Sequence, residues 1–412
     1  MRPLLLTALI TLLASAKAQP VRVLFIGNSY TYSNDLPGML DSLATAMGED
    51  VVTGMSAPGG YTFSQHTQLA YTQQLLAQGD WDYVVLQEQS QLPAFPLAQV
   101  EAQCFPYAAQ LVQQARQANP CTEAVFLMTW GRENGDAQNC PSWPPVCTYE
   151  GMQQLLHERY LQMATGNDAW CAPVGAVWSS WRAEFPGSAL YTDGSHPNAL
   201  GTYIAAATLA STIFRRPCTA ADWAPATLAP GQALEVRTRA SEAVLDEAAA
   251  WNIGVNDPSA APDWMLLGGN EACFGNNGTP GAVLEWHFGD GATNTEESPC
   301  HTYSGAGPFE GALVATDGCG RADTAAFTIE FPSGIGSATS TAPLLIRFDG
   351  EGRLIAAAQE PVPFFELLDA GGRLIERRSL RAGLTVLRGG GGLLWRARCT
   401  DGSWRAGRVA QP

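Results

Sequence analysis

Short unbroken apolar runs alternate with stretches whose apolar residues recur every three or four positions across the first part of the chain. The runs at 21–26, 51–55, 83–86 and 124–128 are rich in Val, Leu, Phe and Ile and read as buried strands. Between and after them, helical spacing predicts helices over 35–47, 65–77, 97–118, 149–163, 199–214 and 232–251. This strand-helix rhythm is the signature of a parallel sheet covered on both faces. The pattern changes at about residue 254, where the chain turns to short alternating strands separated by Gly, Asn and Pro. Boundaries follow from these shifts: an α/β domain at 19–253, a linker at 254–262, a β-module at 263–332, a second linker at 333–343 and a small β-rich segment at 344–412.

Residues 1–18 hold one early positive charge, a short apolar run and a small-x-small end at Ala16-Lys17-Ala18, the pattern of a secretory signal peptide. No later apolar run is long enough to span a membrane. Ten cysteines in 412 residues agree with an oxidising compartment. Cys140 and Cys147 flank a Pro-rich loop and are the first candidates for a disulfide, while the remaining connectivity stays open. No C-x-x-C spacing marks a zinc site, and the sequence calls for no cofactor. A net charge of −16 argues against nucleic acid or an anionic membrane surface as partner.

Two stretches carry candidate chemistry. The first strand runs into Gly27-Asn28-Ser29, placing a serine hydroxyl at the carboxyl edge of the sheet, where open α/β folds bind ligands. Alone, the same turn reads more readily as a helix cap. Asp193-Gly-Ser-His196 supplies what a serine needs, a base held in one tautomer by a carboxylate. Of the five histidines, His196 alone follows a matching acid and precedes a helix start; His66, His157, His287 and His301 read as structural.

Taken in order, Gly27-Asn28-Ser29, Gly60, Gln87-Glu88-Gln89-Ser90 and Asp193-x-x-His196 resemble the four blocks of the SGNH/GDSL hydrolase superfamily. The strings Phe25-Ile-Gly-Asn-Ser-Tyr-Thr31, Val84-Val-Leu-Gln-Glu-Gln-Ser90, Thr129-Trp-Gly131 and Asp193-Gly-Ser-His-Pro-Asn198 resemble one bacterial branch known as a domain of unknown function. The resemblance implies a flavodoxin-like three-layer α/β/α fold and a secreted serine esterase acting on acyl, in particular acetyl, esters of small molecules or carbohydrates. By it, Ser29 is the nucleophile, His196 the base and Asp193 its orienter. The oxyanion donors are the backbone N–H groups of Ser29 and Gly60 and a side-chain amide. The superfamily's third-block asparagine is missing, and Gln89 takes its place, with Gln87 as the competing choice. Asn28 stands where Asp is usual. Tyr30, Tyr61, Trp130 and Trp178 serve as core or as stacking surfaces, and Glu88 as a structural hydrogen-bond acceptor. The rival function is a non-catalytic, glycan-binding surface or adhesion protein.

Further on, Trp286-His-Phe-Gly-Asp-Gly291 and His301-Thr-Tyr303 resemble the polycystic-kidney-disease (PKD) module, an immunoglobulin-like β-sandwich. The segment from Pro343 resembles, loosely, the C-terminal sorting domain of type IX secretion, which implies export machinery as a partner.

Overall fold

A computed structural model describes residues 19–267, 270–331, 344–348, 354–358, 361–369, 374–381, 383–387, 393–398 and 404–409. The expected signal peptide and the linker at 333–343 lie outside the described residues. The chain divides into two compact units after Asn256.

The first unit opens with β1 (Val21–Ile26), α1 (Ser29–Tyr32), α2 (Leu36–Ala46) and β2 (Val51–Ser56). There follow α3 (Phe63–His66), α4 (Ala70–Leu76), β3 (Tyr83–Leu86), α5 (Leu97–Gln103), α6 (Phe105–Ala118) and β4 (Glu123–Leu127). The unit ends with α7 (Tyr149–Gly166), β5 (Trp170–Ala172), α8 (Val174–Glu184), α9 (Ala199–Phe214) and α10 (Pro230–Leu245). All strand pairings are parallel and the order is β2-β1-β3-β4-β5. That is the flavodoxin-like order, with its switch point between β1 and β3.

Alternation along the buried strands builds the two faces. Val23 and Phe25 of β1, with Val125 and Leu127 of β4, pack under α2, α8, α9 and α10. Leu24, Ile26, Ala124 and Phe126 face the opposite way, under α6 and α7. Strands buried on both sides read as continuous apolar runs, which is why the periodicity located them.

Two expected helices are broken. The stretch at 97–118 splits at Cys104 because Pro106 occupies the first turn of α6, lacks an N–H and would clash inside a longer helix. The stretch at 65–77 splits into α3 and α4: the Thr62 capping box starts α3 early, and Leu69 is extended. β5 and α8 have no counterpart in the sequence reading.

Among its described residues the second unit contains strands and no helix. Strands β6 (Pro262–Leu267), β7 (Glu271–Asn276), β8 (Val283–His287), β9 (Thr293–Asn294), β10 (Cys300–Thr302), β11 (Phe309–Thr316) and β12 (Ala322–Ile329) form two sheets, β10-β7-β6 and β12-β11-β8-β9. Trp286, Phe288, Tyr303 and Phe327 fill the core between them. Cys273 and Cys300, directly opposed on β7 and β10, form a disulfide. His301 stacks on Phe288 at 4.3 Å and meets Asp290 Oδ2 at 2.7 Å, a structural role.

The C-terminal strands are β13 (Leu345–Phe348), β14 (Leu354–Ala358), β15 (Val362–Asp369), β16 (Leu374–Leu380), β17 (Gly383–Val386), β18 (Leu393–Arg398) and β19 (Trp404–Val409). They pair antiparallel as β13-β14-β17 and β16-β15-β18-β19 around Phe365, Leu367 and Ala397.

Candidate active site

The end of β1 is held by unusually close contacts. A Cβ on Gly27 would lie 2.3 Å from Thr31 Oγ1 and 2.7 Å from Gln87 Oε1, so only glycine lets α1 fold back against the strand. Asn28 caps α1, and Ser29 is its first residue. The N–H of Ser29 donates no hydrogen bond among the described residues, as expected at a helix start. The same is true of the Gly60 N–H, in an exposed loop where Gly60 adopts φ +73°.

Asp193 and His196 lie on the loop before α9. The Asp193 carboxylate closes a tight turn by accepting the Ser195 N–H at 3.0 Å and the His196 N–H at 2.8 Å. Its second oxygen is 2.7 Å from His196 Nδ1, and His196 Nε2 is 2.9 Å from Ser29 Oγ. A carboxylate only accepts, so Nδ1 carries the proton and the Nε2 lone pair faces the serine hydroxyl. The carboxyl is held down to about 2, first by the His196 backbone N–H and further by the imidazole and the Ser195 N–H. It is therefore ionised throughout the neutral range. The structure thus brings together three residues from two loops 167 positions apart in sequence.

The exit of β3 ties the neighbouring loops together. Gln87 is buried; its Oε1 accepts from Asn28 N–H at 3.0 Å and Thr31 Oγ1 at 2.9 Å, and its amide nitrogen donates to the Glu88 carbonyl. Glu88, fully buried, accepts the Phe63 N–H at 3.0 Å and the Gln89 N–H at 2.6 Å. Burial pushes its carboxyl up to about 8 against these donors. Gln89 Oε1 accepts the Gln91 and Leu92 N–H groups at 2.8 and 3.0 Å, capping a short turn, and its Nε2 donates to Gln91 Oε1 at 3.2 Å. Gln91 reaches on to Asp136 Oδ2 at 2.6 Å, four residues before the loop closed by the Cys140–Cys147 disulfide.

The aromatic residues are core. Tyr30 stacks on Trp130 at 4.8 Å, and Trp130 on Trp178 at 4.1 Å, all three buried. The column supports the Asp193–His196 loop, because Trp130 Nε1 donates to the Ser195 carbonyl at 3.1 Å and Tyr30 packs edge-on against His196. Tyr61 is half-buried beside His66. His66 lies inside the unit, its Nε2 2.7 Å from the Gly27 carbonyl and Nδ1 2.9 Å from Thr72 Oγ1. Neither that contact nor the linkage through Asn28 left a local sequence signal, since both join residues more than thirty positions apart.

No curated protein matches the chain. Among solved structures, it is similar to a DUF4886 family protein from Bacteroides uniformis, at 21% identity over 55% of this chain and 95% of that one, with a TM-score of 0.49. It is also similar to a protein from Slackia heliotrinireducens assigned to the SGNH hydrolases, at 28% identity over 47% of this chain and 100% of that one, with a TM-score of 0.38. An acetylxylan esterase from Geobacillus stearothermophilus, solved as a catalytic mutant, shares 14% identity over 47% of this chain and 93% of that one, with a TM-score of 0.33. The model of the PKD domain family matches residues 275–331. Residues 275–331 are accordingly a PKD domain, and the parallel-sheet unit counts SGNH hydrolases among its structural neighbours.

Proposed function

We propose that the first unit is a secreted serine esterase of SGNH type that removes short acyl groups, in particular acetyl, from carbohydrate or small-molecule esters. The observation that carries this is the chain of contacts from Ser29 Oγ through His196 to Asp193, at 2.9 and 2.7 Å. In this reading His196 Nε2 takes the Ser29 proton as Oγ bonds to the ester carbonyl carbon. The oxyanion forms against the N–H groups of Ser29 and Gly60, with the Gln89 amide as third donor. His196 then protonates the leaving alcohol, and water, deprotonated by the same imidazole, releases the acid from the acyl-enzyme.

The half-exposed Asp193 and His196 and the exposed Gly60 put the reacting atoms at an open rim. An open rim suits a short acyl group on a large alcohol. The C-terminal strands serve export in this reading. The mature protein should hydrolyse p-nitrophenyl acetate, and Ser29→Ala should abolish the turnover; undiminished activity in the variant would overturn the assignment.

One observation favours the rival, a non-catalytic glycan-binding surface or adhesion protein: the Gln89 amide is turned into its own loop, its oxygen accepting from Gln91 and Leu92 and its Nε2, the atom that would meet an oxyanion, donating to Gln91 Oε1. That reading expects glycan binding without ester turnover.

A further inference from the structure

The Asn28 side chain is 2% exposed and bonds at both ends. Its Oδ1 accepts the Tyr30 N–H at 3.2 Å, and its Nδ2 donates to the Tyr61 carbonyl at 3.0 Å. Its own N–H is fixed to Gln87 Oε1 at 3.0 Å. The residue after Asn28 is Ser29 and the residue before Tyr61 is Gly60. One side-chain hydrogen bond therefore links the two loops that carry the N–H groups proposed above as oxyanion donors. On the far side of the Gly60 loop, Glu88 grips the Phe63 N–H, so this loop is tied at both ends.

We propose that Asn28 is a positioning residue that sets the separation of the Ser29 and Gly60 N–H groups through the bond its amide donates to Tyr61. The proposal rests on the esterase reading. It gives the departure from the superfamily's aspartate a physical reason. A carboxylate keeps the acceptor for the Tyr30 N–H but faces the Tyr61 carbonyl acceptor to acceptor. In so buried a place the neutral acid is favoured over the anion, and its O–H would restore the donated bond. Asn28→Asp is thus an acid-switchable version of the natural arrangement.

Several titratable groups surround this position. His66 of α3 sits on the Gly27 carbonyl, Glu88 on the Phe63 N–H, and Tyr30 and Tyr61 flank the two bonds. His196 and Asp193 face Ser29 from the loop before α9. All are shared with the natural protein, so the informative quantity is the ratio of variant to wild-type rate at each pH.

The experiment measures kcat/KM on p-nitrophenyl acetate from about pH 5 to about pH 9 for wild type, Asn28→Asp and Asn28→Ala. Asn28→Asp should fall about 10- to 100-fold below wild type at the alkaline end and recover toward it in acid. Asn28→Ala, with no donor at any pH, should show a constant deficit. Recovery in acid itself demonstrates that the aspartate variant folds, and circular dichroism checks the alanine variant. Wild-type rates in either variant at alkaline pH, or a deficit in Asn28→Asp that does not change with pH, would overturn the proposal. A wild-type protein that turns over no ester removes the esterase reading, and the proposal with it, in an arm separate from the variant ratios.

Discussion

Tyr30 Oη and Ser195 Oγ lie 2.7 Å apart, joining the residue after the proposed nucleophile to the loop that carries its base. The buried Tyr30 ring is itself fixed by stacking on Trp130, so the bond ties the Asp193–His196 loop to the packed core. Tyr30→Phe keeps the stack and loses the hydroxyl. We expect a several-fold drop in kcat with KM unchanged, and about 1 kcal/mol of lost stability. Steady-state kinetics with urea denaturation checks both; a change confined to KM would speak against a positioning role.

Asp193 is 54% exposed at its side chain, so little packing depends on it. Asp193→Asn should leave the fold intact: its remaining oxygen keeps the Ser195 and His196 N–H bonds, and an NH2 donor replaces the acceptor that fixes the His196 tautomer. We expect kcat to fall roughly a thousand- to ten-thousand-fold with near-native melting, read by stopped-time hydrolysis assays beside thermal denaturation.

Glu88 makes a stability prediction with a definite sign. Its carboxyl is raised by burial from an ordinary value of 4.5 to about 8. In the unfolded chain it ionises above 4.5 while the folded protein still holds it neutral, so its contribution is fully present below 4.5 and is lost as pH rises to about 8. Urea midpoints across that window should fall for the wild type and fall less for Glu88→Gln, which cannot ionise. Parallel curves for the two proteins would contradict this.

The Cys140–Cys147 bridge closes a loop of seven-residue separation, and Asp136 just before it is bonded to Gln91. Replacing both cysteines by serine should lower unfolding stability by about 2 kcal/mol through the freed chain entropy. Urea denaturation of the double variant beside the oxidised and reduced wild type checks it.

The parallel sheet and the two stretches that meet at the candidate site were legible in the sequence for a common reason: both are written in short-range patterns. Apolar runs betray strands buried on two faces, and the Asp193-to-His196 spacing is one turn closed by its own carboxylate. β5 escaped because Trp170–Ala172 is only three residues long, and α8 because Pro173 follows it with no polar cap to mark a start. Of Gln87, Glu88 and Gln89, only the accepting role of Glu88 was legible. Each of the first two side chains bonds to a loop far off in sequence, Asn28 for one and Phe63 for the other, and no local pattern encodes those partners. Neither helix break entered the sequence reading, although Pro106 is a local signal for the one at Cys104, whereas the break at Leu69 follows a capping box and a buried histidine.

The most direct test of the central claim is intact-mass and peptide mapping after exposure to a fluorophosphonate. The Ser29–His196–Asp193 arrangement predicts one adduct per chain, located on Ser29, absent in Ser29→Ala and greatly slowed in His196→Ala. An unlabelled wild-type protein, or an adduct on any other residue, would contradict it.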